Sequence, residues 1–364
     1  MIYVTPGLDQ ADNMGYRIDA LDYCVRLVAS GYDELTLETS VHSECNEWLH
    51  EEAMVVERSK RTPLGVYRIK SIDRGKSTML VKCALDLDAW RGVMYPHFSV
   101  TERWPSISTI TPAMLMSALC PTGWAVDIAS DAFDALPAEM IDFDWVTPLD
   151  ILDKMRDLWP GLTYRFAYAP LWSGSPFVGS VTAVNIEART EVAATLTKTN
   201  GIKTTFYKGK STALATRLYA TGKDGLTFAD INSGNAYVDN HTFTSAVICA
   251  HWDAPEYTDP YLLLAAATAK LQTIALPVRS FDVDIADLSV PVGPARPLQG
   301  DLPLFGVVKI GDTTIPQKDK TNLINRIAER WIYPDHPQKN KVVLSTAPAR
   351  IQSQVASLLK AIGG

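Results

Sequence analysis

Residues 64–88, with the sequence LGVYRIKSIDRGKSTMLVKCALDLD, predict two β-strands joined by a turn at Arg74-Gly75-Lys76. We expect Gly75 to supply the positive φ of a hairpin turn. Just before this segment, Asp33–Val41 places Leu35 and Leu37 on one face with polar residues between them, as a half-buried strand does. The first third of the chain therefore predicts β-sheet.

The pattern changes to helical between about 106 and 175. Thr111-Pro112 and Thr147-Pro148 each offer a capping hydroxyl followed by proline at the first helical position. Behind the second pair, an apolar stripe at helical spacing comprises Leu149, Leu152, Met155, Leu158 and Trp159. LTYRFAYAP then predicts a strand, so this region predicts a small α/β part.

Short strand patterns return after about 178, interrupted by one helix. Asp259 to Leu276 predicts that helix, with Thr258 as its cap and Pro277 as its end. The last predicted element is an amphipathic helix over 347–364, with Ile351, Val355, Leu358, Leu359 and Ile362 on one face. That stripe predicts packing either on the chain's own domain or in a bundle between copies.

Composition and charge exclude several classes of protein. The 364 residues hold 34 Lys and Arg against 41 Asp and Glu, a net charge of −7. A chain of this sign has no general attraction for nucleic acid or anionic membrane. The longest apolar stretch, 262–269, falls short of the ~20 residues that span a bilayer. We expect no secretory leader and no membrane anchor.

Opposite charges are segregated near the start of the chain. Residues 1–57 hold 12 acidic and 2 basic residues, and residues 58–91 hold 9 basic and 3 acidic ones. This predicts either a bipolar docking surface or acidic and basic strands paired in one sheet. We favour the second.

The five cysteines, at 24, 45, 83, 120 and 249, are few, odd in number and without a C-x-x-C pair. This argues against a disulfide framework and against a zinc ribbon. We expect reduced thiols in a chain that folds in the cytosol.

The segment CAHWD contains Cys249, His251 and Asp253, which are the residue types of a nucleophile, a base and an orienting acid. On a strand they share a face, but positions two apart are roughly 6.6 Å apart at ~3.3 Å per residue. A nucleophile–base hydrogen bond needs about 2.6–3.2 Å. The segment therefore favours a structural strand.

Three further segments resemble sites incompletely. HSECNEWLHEE offers His42, Cys45 and His50 with Glu44, Glu47, Glu51 and Glu52, but lacks the spacing of a zinc motif. DVDIAD, with Asp282, Asp284 and Asp287, lacks the glycine of a calcium loop and predicts a strand. GKDGLT at 222–227 lacks the phosphate-loop spacing and predicts a hairpin turn. We expect no catalytic, cofactor-binding or metal-binding residue.

The most specific segment is Ala213–Asn240, ALATRLYATGKDGLTFADINSGNAYVDN. It resembles the tail hub family of tailed phages, also called the prophage endopeptidase tail or minor structural protein family. Other segments resemble the family in the same order, namely 65–72, 111–127, 257–288 and 325–346.

The resemblance implies an α+β, mainly β fold like the baseplate hub of contractile tails, with two barrel-like antiparallel β domains and smaller α/β domains. The implied division is a first barrel at 1–105, a small α/β domain at 106–177, a second barrel at 178–210 with 277–346, an inserted α/β segment at 211–276, and a terminal helix at 347–364.

The resemblance also implies a function. Three chains are expected to form a ring at the tail tip of a virion, assembled in the host cytoplasm. Expected partners are the tail tube, the distal tail protein, the tape measure protein and a fibre or needle protein, with DNA passing through the lumen. Many members continue into a peptidoglycan-cleaving or receptor-binding region. About 18 residues follow the last resembling segment, so we expect no such activity. The alternatives are a tail-associated peptidoglycan endopeptidase and a module that binds host glycans.

Overall fold

The computed structural model describes residues 1–5, 15–29, 31–59, 62–128, 136, 138–159, 161–170, 177–185, 191–196, 202–210, 214–255, 257–285, 304–310 and 325–345. They form two compact units. The large unit consists mainly of Met1–Phe206 and Asp282–Leu344, and the small unit mainly of Tyr207–Phe281. The domain boundaries given above stay a prediction, and the predicted helix over 347–364 lies outside the described residues.

The described residues form mostly strands. The strands are β1 (Ile2–Thr5), β2 (Tyr16–Ile18), β3 (Ala20–Val28), β4 (Glu34–Ser40), β5 (Met54–Glu57), β6 (Gly65–Arg74), β7 (Thr78–Leu85), β8 (Tyr95–Ser99), β9 (Trp124–Ile128), β10 (Asp142–Val146), β11 (Leu162–Pro170), β12 (Phe177–Asn185), β13 (Val192–Leu196), β14 (Ile202–Lys210), β15 (Arg217–Thr221), β16 (Tyr237–Asp239), β17 (Cys249–Asp253), β18 (Val278–Ile285), β19 (Val307–Ile310), β20 (Asn325–Ile332) and β21 (Lys341–Ser345).

The α-helices are α1 (Asp88–Arg91), α2 (Val100–Arg103), α3 (Pro112–Leu119), α4 (Pro148–Leu158) and α5 (Pro260–Ile274). Short 3-10 helices cover Glu44–Trp48, Lys223–Gly225, Ala229–Ile231 and Pro337–Lys339. Among the described residues, no helix is long and apolar enough to cross a membrane.

One large sheet contains thirteen of the described strands. Its order is β14-β18-β21-β20-β3-β4-β7-β6-β5-β1-β2, and β19 pairs with both β13 and β20. The antiparallel pair β20–β3, with Glu329 opposite Val28, joins the C-terminal part of the chain to the N-terminal part. The mainly β, α+β fold class is confirmed, and strands of both predicted barrels lie in this one sheet.

The hairpin predicted at 64–88 is present as β6 and β7, with Arg74 opposite Met79. The prediction about Gly75 is wrong, because Gly75 is not among the glycines with positive φ. Its N–H instead donates to the Thr78 carbonyl at 2.9 Å, so a hydrogen bond across the loop shapes the turn without a left-handed residue. In β4, Leu35 and Leu37 are buried as the alternation predicted.

The segregated charges lie on neighbouring strands. The acidic strand β4 pairs with the basic strand β7, with Thr36 opposite Lys82. Nearby, the Lys70 ammonium lies 2.7 Å from a Glu52 carboxylate oxygen. These pairs agree with strand pairing in one sheet.

The helical part of the large unit begins its helices where the sequence predicts. Thr111 caps α3 and Thr147 caps α4, and the Thr147 hydroxyl and Asp150 carboxylate form a reciprocal capping box. Leu149, Leu152, Met155 and Trp159 of the predicted stripe are buried. They belong to the same unit as the three-stranded sheet β11-β12-β9.

In the small unit, α5 packs on the three-stranded sheet β16-β15-β17. The predicted cap Thr258 is wrong, because Asp259 is the cap. Its carboxylate accepts hydrogen bonds from the N–H groups of Tyr261, at 2.7 Å, and Leu262, at 3.4 Å. The buried core of the small unit comprises Leu218, Ala220, Phe228, Ala254, Leu263, Ala267, Leu271 and Ala275.

Candidate functional site

The segment that carries the family resemblance builds one face of the small unit's sheet. Strands alternate their side chains, so Leu218 and Ala220 of β15 are buried towards the core while Arg217 and Tyr219 lie on the other face. In the register, Arg217 lies between Asp239 and Cys249, and Tyr219 lies between Tyr237 and His251. The second half of the segment thus lies beside the first.

Most polar groups on this face are bound to one another. The Arg217 Nε and Nη2 atoms each donate to an Asp239 carboxylate oxygen at 2.7 Å, which lowers the pKa of that carboxyl below its ordinary value. The Arg217 guanidinium also lies 3.8 Å from the centroid of the Tyr237 ring. Tyr219 contacts Tyr237, with ring centroids 5.3 Å apart. On this face, Arg217, Tyr219, Tyr237 and Asp239 are therefore bound to one another.

The structure does not form a catalytic triad from CAHWD. Cys249, His251 and Asp253 lie on one exposed face of β17, as predicted for a strand. The His251 Nε2 atom lies 2.8 Å from the Thr221 hydroxyl oxygen. Among the described residues, no hydrogen bond joins His251 to Cys249 or Asp253.

The residues of HSECNEWLHEE do not converge either. Cys45 is buried in the 3-10 helix Glu44–Trp48, while His42 and His50 are exposed. His50 Nδ1 lies 2.8 Å from the Glu51 carbonyl oxygen. Across the part of the chain that the structure describes, no three His, Cys, Asp or Glu side chains could hold a metal ion.

The remaining two segments, DVDIAD and GKDGLT, form parts of a strand and of a turn. Asp282 and Asp284 lie in β18, as the strand prediction had it, and Asp287 lies outside the described residues. GKDGLT is a tight turn in which the Gly222 N–H donates to the Leu226 carbonyl at 2.8 Å. The hairpin prediction is wrong in one respect, because residues 222–236 separate β15 from its antiparallel partner β16.

The cysteines are all free. Burial raises the pKa of the Cys24 thiol to about 11 and that of Cys83 to about 12, so both stay protonated at neutral pH. The thiolate that a cysteine nucleophile requires is therefore not prepared at Cys24 or Cys83. Cys249 is exposed, and among the described residues no hydrogen bond joins it to His251.

Sequence reasoning missed two features of the sheet formed by β8 and β10. The His97 Nδ1 atom lies 2.9 Å from an Asp144 oxygen and 3.5 Å from an Asp142 oxygen, and the His97 Nε2 atom lies 3.8 Å from a Glu102 oxygen. The hydrogen bond to Asp144 raises the pKa of His97 above its ordinary value. Trp145 has φ of 52° and is 72% exposed. Alternation in DFDWV would place it beside Phe143, and no sequence signal marks the left-handed residue.

The large unit also carries a shallow depression of about 540 Å³, lined by Trp104, Ala113, Met114, Ser117 and Ala118. Its lining contains no ionisable side chain. Ligand pockets usually combine an enclosed apolar wall with a few converging polar groups, and this depression lacks both features.

Comparisons with known proteins agree with the resemblance. The family model "Prophage endopeptidase tail" matches residues 191–355. No curated protein sequence matches the chain. The fold is similar to that of prophage tail protein gp18 from Listeria monocytogenes EGD-e, at 14% identity and a TM-score of 0.64, with 100% of this chain and 99% of that one covered.

Two further solved structures share the fold. The 43 kDa tail protein of prophage MuSo2 from Shewanella oneidensis is 12% identical, with a TM-score of 0.62 and coverage of 96% and 98% of the two chains. The tail protein from Neisseria meningitidis MC58 is 10% identical, with a TM-score of 0.55 and coverage of 94% and 95%. The predicted resemblance is confirmed: residues 191–355 match the prophage endopeptidase tail family, and the chain has the fold of prophage tail proteins.

Proposed function

We propose that this chain is a structural hub protein at the tip of a phage tail and that three copies of it form a ring. The observation that carries the proposal is the match of its whole length to a prophage tail protein. The ring would connect the tail tube and the distal tail protein to a fibre or needle below. The tape measure protein and then DNA would pass through its lumen.

The large sheet supports a ring physically. Among the described strands, β2 and β14 lie at the two ends of its main strand order. Strand edges have unpaired backbone groups, which proteins cover or protect. A head-to-tail contact between copies covers two different edges at once, and it closes into a ring when the rotation allows. The net charge of −7 suits a lumen that must release DNA.

The proposal includes no catalysis, although the family name contains the word endopeptidase. The strongest candidate nucleophile, Cys249, lacks a bonded base because His251 is held by Thr221. We expect the purified protein to leave peptidoglycan intact in a turbidity assay. Clearing that is lost on Cys249→Ala or His251→Ala would show that the chain is a hydrolase.

The mass of the protein in solution tests the ring. Light scattering on the purified chain, alone and mixed with the distal tail protein, should show three times 40.0 kDa in at least one condition. A monomer under both conditions would contradict the proposal.

A further inference from the structure

Strand β17 lies at one edge of the three-stranded sheet of the small unit. Among the described residues it pairs with β15 alone, in parallel and without a register shift. The Arg217 N–H donates to the Ile248 carbonyl at 3.0 Å. In a parallel ladder with this register, only alternate residues of a strand bond to the same neighbour. The backbone N–H and C=O groups of Cys249, His251 and Asp253 therefore point away from β15.

The sequence of β17 lacks the features that normally protect such an edge. Edge strands are usually very short, interrupted by a bulge or proline, or fitted with lysine. β17 has five residues, CAHWD, with neither proline nor lysine, and its one carboxylate, Asp253, lies at its end. The opposite edge of the sheet, β16, has only three residues. The outward groups of β17 repeat every roughly 6.6 Å, at ~3.3 Å per residue, which is the repeat of an extended polypeptide.

The residues just before β17 hold apolar side chains in a fixed position. Val247 is 56% exposed and Ile248 is 37% exposed. The backbone on both sides of Val247 is held by Thr216, which is fully buried. The Thr216 hydroxyl donates to the Ala246 carbonyl at 2.7 Å and accepts from the Ile248 N–H at 2.8 Å. Because a surface that is already ordered loses little entropy on binding, these residues extend the open edge with a ready apolar contact.

The two ends of this edge differ in chemical character. Exposed apolar side chains precede β17, and the exposed carboxylate of Asp253 ends it. A strand that places a basic side chain beside Asp253 and an aliphatic one beside Val247 is complementary to this edge. A second copy does not supply that pattern. Antiparallel pairing of β17 with itself about His251 would place Cys249 opposite Asp253, and β16 of a second copy spans only three positions.

We propose that β17 is a docking edge to which another protein adds an extended strand, with a basic side chain beside Asp253 and aliphatic side chains beside Val247 and Ile248. The added strand runs antiparallel, since antiparallel pairing is slightly more stable per residue. Its main-chain hydrogen bonds provide affinity, and its side chains select the partner. The inference goes beyond the proposed ring, because that ring rests on the sheet of the large unit.

A short peptide tests this edge in the full-length chain. When it runs antiparallel to β17, the peptide KTTTTVV places lysine opposite Asp253 and its two valines opposite Ile248 and Val247. Hydrogen exchange resolved to single residues should be fast at Cys249, His251 and Asp253 in the free chain. Millimolar KTTTTVV should slow it by about tenfold or more. The peptide KTPTTVV, whose proline lies opposite His251 and cannot donate, should have little effect, and ETTTTVV should act more weakly.

Two substitutions at one position separate the backbone from the side chain. His251→Pro removes an outward N–H and keeps the pairing with β15, since edge strands accept proline where the N–H faces solvent. It should abolish the slowing of exchange at Cys249 and Asp253, whereas His251→Val, which keeps the N–H, should not. Unchanged exchange of α5 amides in both variants would show that the small unit remains folded.

Three results would overturn the proposal. One is the absence of slower exchange with KTTTTVV, and another is equal slowing with KTPTTVV. The third is slow exchange at Cys249, His251 and Asp253 in the free chain, because another part of this chain or a second copy would then already cover the edge. The mass measurement of the ring is separate, so failure of one proposal is distinguishable from failure of the other.

Discussion

The small unit and the large unit differ in how far apart along the chain their stabilising contacts lie. In the small unit, β15, β17 and α5 surround an apolar core that includes Leu263 and Phe228. In the large unit, Arg26 of β3 bonds to Glu329 of β20 across 303 residues, with the Nη2 atom 2.6 Å from a carboxylate oxygen. Arg26 also bonds to Glu34 at 2.8 Å. Apolar packing between nearby segments forms the core of the small unit. In the large unit, the pairing of β20 with β3 and the Arg26 network join segments that are far apart along the chain.

The largest loss of stability is expected from a substitution in the core of the small unit. Leu263 is fully buried, so Leu263→Ala should lower the free energy of unfolding of this unit by about 3 kcal/mol through lost burial and a cavity. Hydrogen exchange of peptides from 217–274 measures the change. The matched control is Val247→Ala, since Val247 is 56% exposed in the same unit, and it should cost less than about 0.5 kcal/mol. Equal effects of the two changes would contradict the assigned core.

The second effect concerns the polar network of the large sheet. Arg26→Met leaves Glu329, which is 15% exposed, without its guanidinium partner. Because the network is partly solvated, we expect a loss of about 2 kcal/mol, less than the ~3–5 kcal/mol of a fully buried pair. Urea unfolding gives the magnitude, and faster hydrogen exchange in β20 and β3 gives the location.

A surface ion pair of the same unit serves as the control for Arg26. Lys339 lies 2.6 Å from Asp22, and its side chain is 49% exposed. Lys339→Met should therefore cost less than about 1 kcal/mol. A loss as large as that of Arg26→Met would mean that the Arg26 network has no special weight in the sheet.

Removing a helix cap in either unit should cause a smaller loss of stability, of similar size in both units. Thr147→Ala in α4 and Asp259→Ala in α5 should each cost about 1 kcal/mol, with the faster exchange confined to the unit that contains the change. Thr258→Ala is the control for α5, because Thr258 neighbours the cap without filling it, and it should have little effect. A larger effect at Thr258 than at Asp259 would contradict the cap assignment.

The smallest effect on stability is expected from the electrostatic interaction between His97 and Asp144. Asp144 raises the pKa of His97, so the pair stabilises the fold fully below the ordinary histidine pKa of about 6.5. That stabilisation is lost as the pH rises through the raised pKa of the folded state. An NMR titration should show the pKa of His97 falling towards its ordinary value in Asp144→Asn. An unchanged pKa would show that Asp144 is not the cause.

The sequence predicts contacts between nearby residues more accurately than contacts between distant ones. The caps at Thr111 and Thr147, the β6–β7 hairpin and the α5 helix depend on residues a few positions apart, and the sequence predicts them closely. For α5 the sequence predicts Thr258 where the structure has Asp259, because Thr and Asp both serve as caps. The β20–β3 pairing joins segments some 300 residues apart, and no local pattern specifies such a partner. The exposure of Trp145 depends on one backbone angle, which alternation along β10 does not encode.

In the candidate site, too, the sequence predicts the position of residues along a strand but not their partners on neighbouring strands. The sequence places Cys249, His251 and Asp253 on one face, and the structure agrees. It could not show that His251 would bond to Thr221, because that contact depends on the parallel pairing of β15 and β17. Side-chain partners across a sheet follow from its register, and the register is a property of the folded chain.

The ring proposed above requires that copies of this chain assemble around a common axis. Electron microscopy of the purified protein, or of its mixture with the distal tail protein, tests this most directly. We expect particles with three-fold symmetry and a central hole. Solid particles of a single chain, without a hole under either condition, would contradict the account.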